Sequence, residues 1–492
     1  MRSRSVSAAY GYELDPHERH LITLGFADDL EVIGNSLDTA LLTVAIIRAR
    51  LAEIGLTVNL SKCNAIVVEQ GVLTEAPVAL DDTEIPTVTQ DSTLKYLGVS
   101  FRDEITFPFQ ELIGTLAKDL EVLVKTPLLT AGQKLDMINM FIWPSLIYPL
   151  QTVPLNRVPP SFGKAADQLM RGAVKDILRL PHNSPDSMIY SSRNHRGLGI
   201  VKIAWETFLQ HLWICQRLAT VQDSILFVAR DLQSEIRDCL TALRFSPETA
   251  LDTSTMTLRS ALRRAFEEWS SLPFHGKSVK LFSEVPKAND FMTTERSHSS
   301  REFNDVVGMN GYLIKTNLSP GQNPDGFCRH CGKLETLAHV LGSCPRNIEG
   351  LIRTRHLAAQ AATAAGYEVL VELDLKTDAT LAEADRRIDL VLINREHDQS
   401  IAIDVTCRFE DQDPLAVDLE KRGHYEPCIP HLRVVTGTSH SEVIGLMIGS
   451  RGGVPSFFVQ TIKRLRIDPR FISDLVAGII KRSCVIIASH MT

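Results

Sequence analysis

A chain of 492 residues, 44% hydrophobic and 23% charged, has material for about three or four domains with buried cores, and this balance excludes a wholly disordered chain. Its net charge of −7 speaks against an overall basic nucleic-acid-binding surface, although residues 161–220 carry eight Lys or Arg against four Asp or Glu and leave room for a local basic face. The polar stretch Met1 to His20 and the lack of any run of about 18 apolar residues lead us to expect a soluble chain with neither a signal peptide there nor a membrane-spanning helix.

In chain order, the first expected element is a turn at Leu14-Asp15-Pro16-His17. A hairpin follows. Phe26-Ala27-Asp28-Asp29 lies between Leu24-Gly25 and Leu30-Glu31-Val32-Ile33, so flanking strands bring two adjacent carboxylates to a tip where their oxygens can hold Mg²⁺. From Ser36 to Glu53, Leu37, Leu41, Val44, Ile47 and Leu51 fall at helical spacing, with Ser36 as N-cap and Gly55 just past the end. The run Gly55 to Cys63 leads to a strand at Ala65-Ile66-Val67-Val68, and Leu94-Lys95-Tyr96-Leu97-Gly98-Val99 reads as a further hairpin. Residues 110–150, 160–180 and 205–270 carry helical patterns, so the middle third is mainly α, with Trp205, Phe208 and Trp213 expected in a core. Asn194-His195-Arg196-Gly197-Leu198-Gly199-Ile200 reads as a helix-to-strand turn, and 317–327 as a loop. Beyond about residue 366, β-rich and helical runs alternate as in a small α/β domain.

Nine Cys are too sparse for a disulfide framework, and three of them gather with a His. Cys328, Cys331, His339 and Cys344 give the spacing C-x2-C-x7-H-x4-C: two thiolates on a tight knuckle, completed from the following turn or helix into the tetrahedral S₃N set of structural Zn²⁺. All four positions are protein, so no coordination site is left for catalysis. His330 is expected to face solvent. Further on, Arg387-Ile388-Asp389-Leu390-Val391-Leu392-Ile393-Asn394 reads as a strand opened by an acid, and a polar turn from Arg395 to Ser400 leads into Ile401-Ala402-Ile403-Asp404-Val405-Thr406. Strands joined this way can converge Asp389 and Asp404 on one hard cation, and a following helix places Lys421 and Tyr425 on one face.

These motifs, in this order, resemble the C-terminal part of the polyprotein of R-two-clade, site-specific non-LTR retrotransposons. Phe26-Ala27-Asp28-Asp29, Gly55 to Cys63 and Leu94 to Val99 resemble the later palm motifs and primer grip of the reverse transcriptase, Gly197-Leu198-Gly199-Ile200 resembles the run after the thumb, and the cysteine cluster resembles the clade's zinc knuckle. Asp389, Asp404 and Lys421 resemble the restriction-like endonuclease, which implies that the two Asp bind Mg²⁺ and Lys421 assists. Two positions depart from that pattern: Ile388 stands where the family has Pro, and Thr406 where many such nucleases carry Lys.

The resemblance implies a multidomain α+β chain: the C-terminal part of a palm over 1–125, a thumb-like helical region over 126–240, a helical linker over 241–316, the knuckle over 317–365 and an α/β endonuclease over 366–492. It implies zinc and magnesium as cofactors, target DNA and the element's RNA as partners, a nuclear place of action, and nicking of DNA to prime reverse transcription. Asp28 and Asp29 would serve polymerisation, but that chemistry needs a further Asp on a neighbouring strand and only 27 residues precede Asp28, so no polymerisation is expected from this chain alone. The competing expectation is a catalytically inactive, zinc-containing nucleic-acid-binding remnant or host-retained protein, favoured by Ile388 and the acidic balance.

Overall fold

The computed structural model describes the chain apart from residues 1–10, 16–18, 102–104, 221–232, 246–253, 293–299, 312–324, 346–351, 379, 381–382 and 492. Most of the loop expected over 317–327 therefore lies outside the described residues. The chain divides into two units, one built from Met1–Asp119, Phe141–Gln168 and Lys202–Ala261, the other from Leu120–Met140, Leu169–Val201 and Leu262–Thr492. With helix and strand in both, the chain is multidomain α+β.

In the first unit, β1 (Tyr12–Asp15) pairs antiparallel with β2 (Arg19–Leu21), so Leu14 and Asp15 end a strand rather than form a turn. The reason is local, since the residue before a proline favours extended backbone. The acidic hairpin is formed by β3 (Thr23–Phe26) and β4 (Asp29–Val32), with Phe26 opposite Asp29 and Ala27-Asp28 as the turn, Ala27 at φ 54°. Helix α1 (Leu37–Glu53) starts at Ser36, whose side chain and that of Thr39 close a capping box. The strand expected from Ala65 shrinks to β5 (Val68–Glu69), paired with β6 (Val72–Leu73), because Ala65 exchanges its backbone bonds with Pro86 and Val88 instead. Leu37, Leu41 and Val44 of α1 pack on Val78 and Leu80 of β7 (Val78–Leu80) and Ile85 of β8 (Thr83–Ile85).

Next, β9 (Leu94–Tyr96), β10 (Val99–Phe101) and β11 (Ile105–Thr106) form a three-stranded sheet. Its Leu97-Gly98 turn holds both residues at positive φ, 47° and 83°, as a tight hairpin of this twist demands. Helices α2 (Ile203–Thr220) and α3 (Gln233–Ala242) bury Leu209 and Leu212 against Cys239, Leu240 and Leu243, with Trp205 and Phe208 packed on this core. Trp213 is not core: one residue past Leu212, about 100° around the helix, it is exposed beside Arg217.

The second unit is organised around one sheet in the order β12 (Glu368–Leu375), β13 (Arg386–Asn394), β14 (Gln399–Arg408) and β15 (His440–Gly449). The first three strands are antiparallel and β15 runs parallel to β14. Before the sheet come α4 (Leu337–Gly342) and α5 (Ile352–Ala364); α6 (Pro414–Tyr425) and α7 (Ile429–Thr436) cross from β14 to β15, and α8 (Ser456–Arg464) and α9 (Phe471–Met491) follow. Both faces are covered, which explains the unbroken apolar runs. Ile388, Val391, Ala402 and Val443 pack against Tyr425, Cys428 and Leu432, whereas Leu390, Leu392, Ile403 and Leu446 line a cavity with Ala362, Phe458, Ile462 and Leu475.

A buried polar node joins this sheet to earlier segments of the same unit. Arg451 and Glu410 are both fully buried, with Arg451 Nε 3.0 Å from Glu410 Oε2, and Glu410 Oε1 also accepts from the Arg451 and Gly453 backbone N–H groups. Arg451 donates to Lys277 O at 2.9 Å, while Arg196 donates to Asn289 Oδ1 and to Gly452 O at 2.6 Å. Both guanidiniums lie over the Phe282 ring. Within 161–220, Arg196 and Lys175 are buried, as are Asp167 and Glu206; Arg171 and Lys175 pair with Asp186, and Arg193 with Asp136.

Candidate functional site

Asp389 and Asp404 sit in the two central strands of the second unit, each only 6% exposed. The β13–β14 ladder is regular from Asn394↔Gln399 to Leu390↔Ile403 and ends there, with Asp389 and Asp404 as the next residue of each strand. There the Val405 N–H turns to a side chain and donates to Asp389 Oδ2 at 3.0 Å. Asp404 Oδ1 lies 3.1 Å from Lys421 Nζ on α6. Oxygen donors of this kind suit a hard divalent cation.

Tyr425 ends α6 four residues after Lys421, and its hydroxyl donates to Arg387 O at 2.7 Å. Burial, then the nearby carboxylates of Asp404 and Asp389, push its phenol well above the usual range, so it stays neutral and acts as a clamp within the core. Two supporting residues escaped the sequence reading. Gly445, paired with Asp404 across β15, lets α6 approach: a Cβ there would meet the Lys421 Cβ at 2.7 Å and the Asp418 Cα at 3.0 Å. Asp418 accepts from the Gly445 N–H at 2.8 Å and pairs with Arg422, which fixes the helix over the sheet and aims Lys421 at Asp404.

The cysteine cluster is assembled by a short turn and α4. Cys328 N–H donates to Lys333 O at 2.6 Å and Gly332 N–H to Cys328 O at 3.0 Å, with Gly332 at φ 70°, a tight knuckle that presents Cys328 and Cys331 together. Thr336 caps α4 and orients His339. The ligand atoms of Cys328, Cys331, His339 and Cys344 all lie within 4.8 Å of one another; Cys331 Sγ is 3.1 Å from His339 Nε2 and Cys328 Sγ 3.9 Å from Cys344 Sγ. Burial, then Lys333, lowers the His339 pKa and keeps the imidazole neutral, the form that ligates metal. This donor set fits zinc, and His330 is exposed as expected.

Asp28 and Asp29 stand exposed on the β3–β4 hairpin of the first unit, and among the described residues no group of three potential metal ligands includes them. The β9 hairpin is close: burial, then Glu31 and Asp29, raise the Tyr96 pKa.

No family model matches the chain. It is 27% identical over 455 residues to a Pol polyprotein of the type-1 retrotransposable element R2 of Popillia japonica, covering 87% of this chain and 89% of that relative. The corresponding polyprotein of Nasonia vitripennis is 26% identical over 388 residues, and that of the type-2 element R2DM of Drosophila melanogaster 22% identical over 397. The chain spans 35% of the length of each of these two. No described helix is long and apolar enough to cross a membrane. By this similarity over most of its length, the chain is a homologue of the Pol polyproteins of R2-type non-LTR retrotransposons.

Proposed function

We propose that the second unit is a Mg²⁺-dependent DNA endonuclease whose reaction centre is Asp389, Asp404 and Lys421. The observation that carries this reading is the placement of two buried carboxylates at the end of the ladder between adjacent strands, Asp389 accepting from the N–H of Val405 next to Asp404, with an ammonium from the crossing helix 3.1 Å from Asp404. Asp389 and Asp404 would hold the cation, which supplies activation of water and stabilisation of the charge that develops on the phosphate. Asp389 is preset for this by the Val405 N–H, which donates to Oδ2 at 3.0 Å and orients the carboxylate. Lys421 pairs with Asp404 and can turn to the scissile phosphate, where it offsets negative charge. Target DNA is then the substrate, and nicking for target-primed reverse transcription is the role that fits the relatives. Asp28 and Asp29 take part in polymerisation only where a further carboxylate completes their set.

Lys421→Ala is expected to slow plasmid nicking by about 10²-fold, as when one group that stabilises transition-state charge is removed, with a smaller effect on metal affinity. Unchanged nicking rates at saturating Mg²⁺ would remove Lys421 from the mechanism. Tyr425→Phe should affect nicking less, because its hydroxyl bonds Arg387 O and the Asp404 carboxylate and so supports the site without supplying a ligand or a charge.

We propose equally that Cys328, Cys331, His339 and Cys344 hold one structural Zn²⁺. The purified protein should contain one zinc per chain, and Cys331→Ser should lose it and loosen 326–344 while the β12–β15 sheet stays folded. Equal zinc in wild type and variant would exclude this ligand set.

A further inference from the structure

Behind the knuckle lies a pair of polar side chains that no part of the four-ligand set accounts for. Glu335 is fully buried, and His490, from the last turn of α9, is 1% exposed. His490 Nε2 is 2.7 Å from Glu335 Oε1 and 3.9 Å from Cys328 Sγ, and the three ligand atoms lie within 4.8 Å of one another. A second metal is the wrong occupant for this group. Among the described residues it offers three donors, one of them Cys328 of the four-ligand set, and Arg329 Nε lies 3.3 Å from the same Glu335 oxygen, which places a guanidinium where a cation would have to be. Glu335 is held from the knuckle side by its own N–H, which donates to Gly326 O at 2.9 Å.

His490 ends a buried stripe of α9 that runs Ile472, Leu475, Val476, Ile479, Ile480, Ser483, Cys484 and Ile487 at helical spacing. Further back on that stripe, the Ser483 hydroxyl donates to Ser450 O, next to the Arg451 node, and α9 also packs on α4 and α5. One helix thus touches the turn after β15 and, at its last turn, the thiol-bearing knuckle. Polar partners that orient metal ligands change affinity because they fix the ligand before the metal arrives.

We propose that His490 is a positioning residue for the knuckle: through Glu335 it holds Cys328 in place, so that zinc binding and docking of the C-terminal end of α9 form one coupled equilibrium. This inference rests on the zinc reading above. Coupling of this kind is reciprocal: whatever factor the docked helix adds to zinc affinity, zinc adds to docking.

The test uses the full chain as wild type, His490→Ala and His490→Gln, the last keeping an N–H for Glu335. Zinc affinity is read by competition with a chromophoric chelator, and docking by hydrogen exchange over 480–491 with and without chelation. His490→Ala should weaken zinc binding by about 10- to 100-fold, His490→Gln should recover most of that loss, and chelation should raise exchange at the end of α9 while β13 and β14 stay protected. Zinc affinity unchanged in His490→Ala, or an α9 whose exchange ignores chelation, would overturn the coupling with the zinc site intact. A wild-type protein without zinc would instead overturn the zinc reading, and this inference with it.

Discussion

Glu410→Ala is expected to destabilise the second unit by about 3–5 kcal/mol, the cost of removing one partner from a buried ion pair and leaving the other charge uncompensated. The carboxylate it removes accepts from Arg451 Nε and from two backbone N–H groups, and it is the partner of a guanidinium with no solvent exposure. Arg196, stacked on the same Phe282 ring, would then share the buried volume with Arg451 without an anion between them. Against the 5–15 kcal/mol that stabilises a typical domain, this is a large share. The thermal transition of the full chain should fall by about 10 °C or more. Glu410→Gln, which keeps acceptor geometry for the N–H groups, should fall by less. Equal melting of wild type and Glu410→Ala would show that the node contributes no net stability.

The second large effect belongs to the carboxylate pair. Removing Asp404 takes an oxygen ligand from the proposed cation and frees Lys421 from its partner, so nicking should drop by about 10³-fold or more, the cation being the source of both the nucleophile and charge stabilisation. DNA binding, carried by other cationic groups, should change little. Asp389→Ala should abolish nicking as fully, but with an added loss of stability because the Val405 N–H loses its buried acceptor. Asp404 is therefore the cleaner probe. A variant that binds DNA normally and still nicks at the wild-type rate would rule out the pair as the reaction centre.

Features that depend on neighbours in sequence were legible in it. Ser36 announced α1 because a cap acts within one turn, and the alternation of apolar runs around Asp389 and Asp404 marked two buried strands because each strand carries its own pattern. The spacing of Cys328, Cys331, His339 and Cys344 held enough information for the knuckle because all four ligands fall within 17 residues. What escaped is what the fold brings together from afar. Gly445 carries no local sign that α6 must pass over it, and Arg196 and Arg451, 255 residues apart, each look like ordinary surface arginines until Glu410 and Phe282 enclose them. His490, 155 residues after Glu335, is invisible for the same reason. Trp213 erred the other way: its bulk suggested a core, but its position one step around α2 from Leu212 decided its exposure.

The most direct measurement is conversion of supercoiled plasmid to open circle by the purified full chain, with Mg²⁺ and with chelator, alongside Asp404→Ala at matched DNA binding. The account predicts open circle from the wild type with Mg²⁺ and almost none from the other two. Absence of nicking by a folded, zinc-loaded wild type across a range of target sequences, or equal nicking by Asp404→Ala, would contradict it.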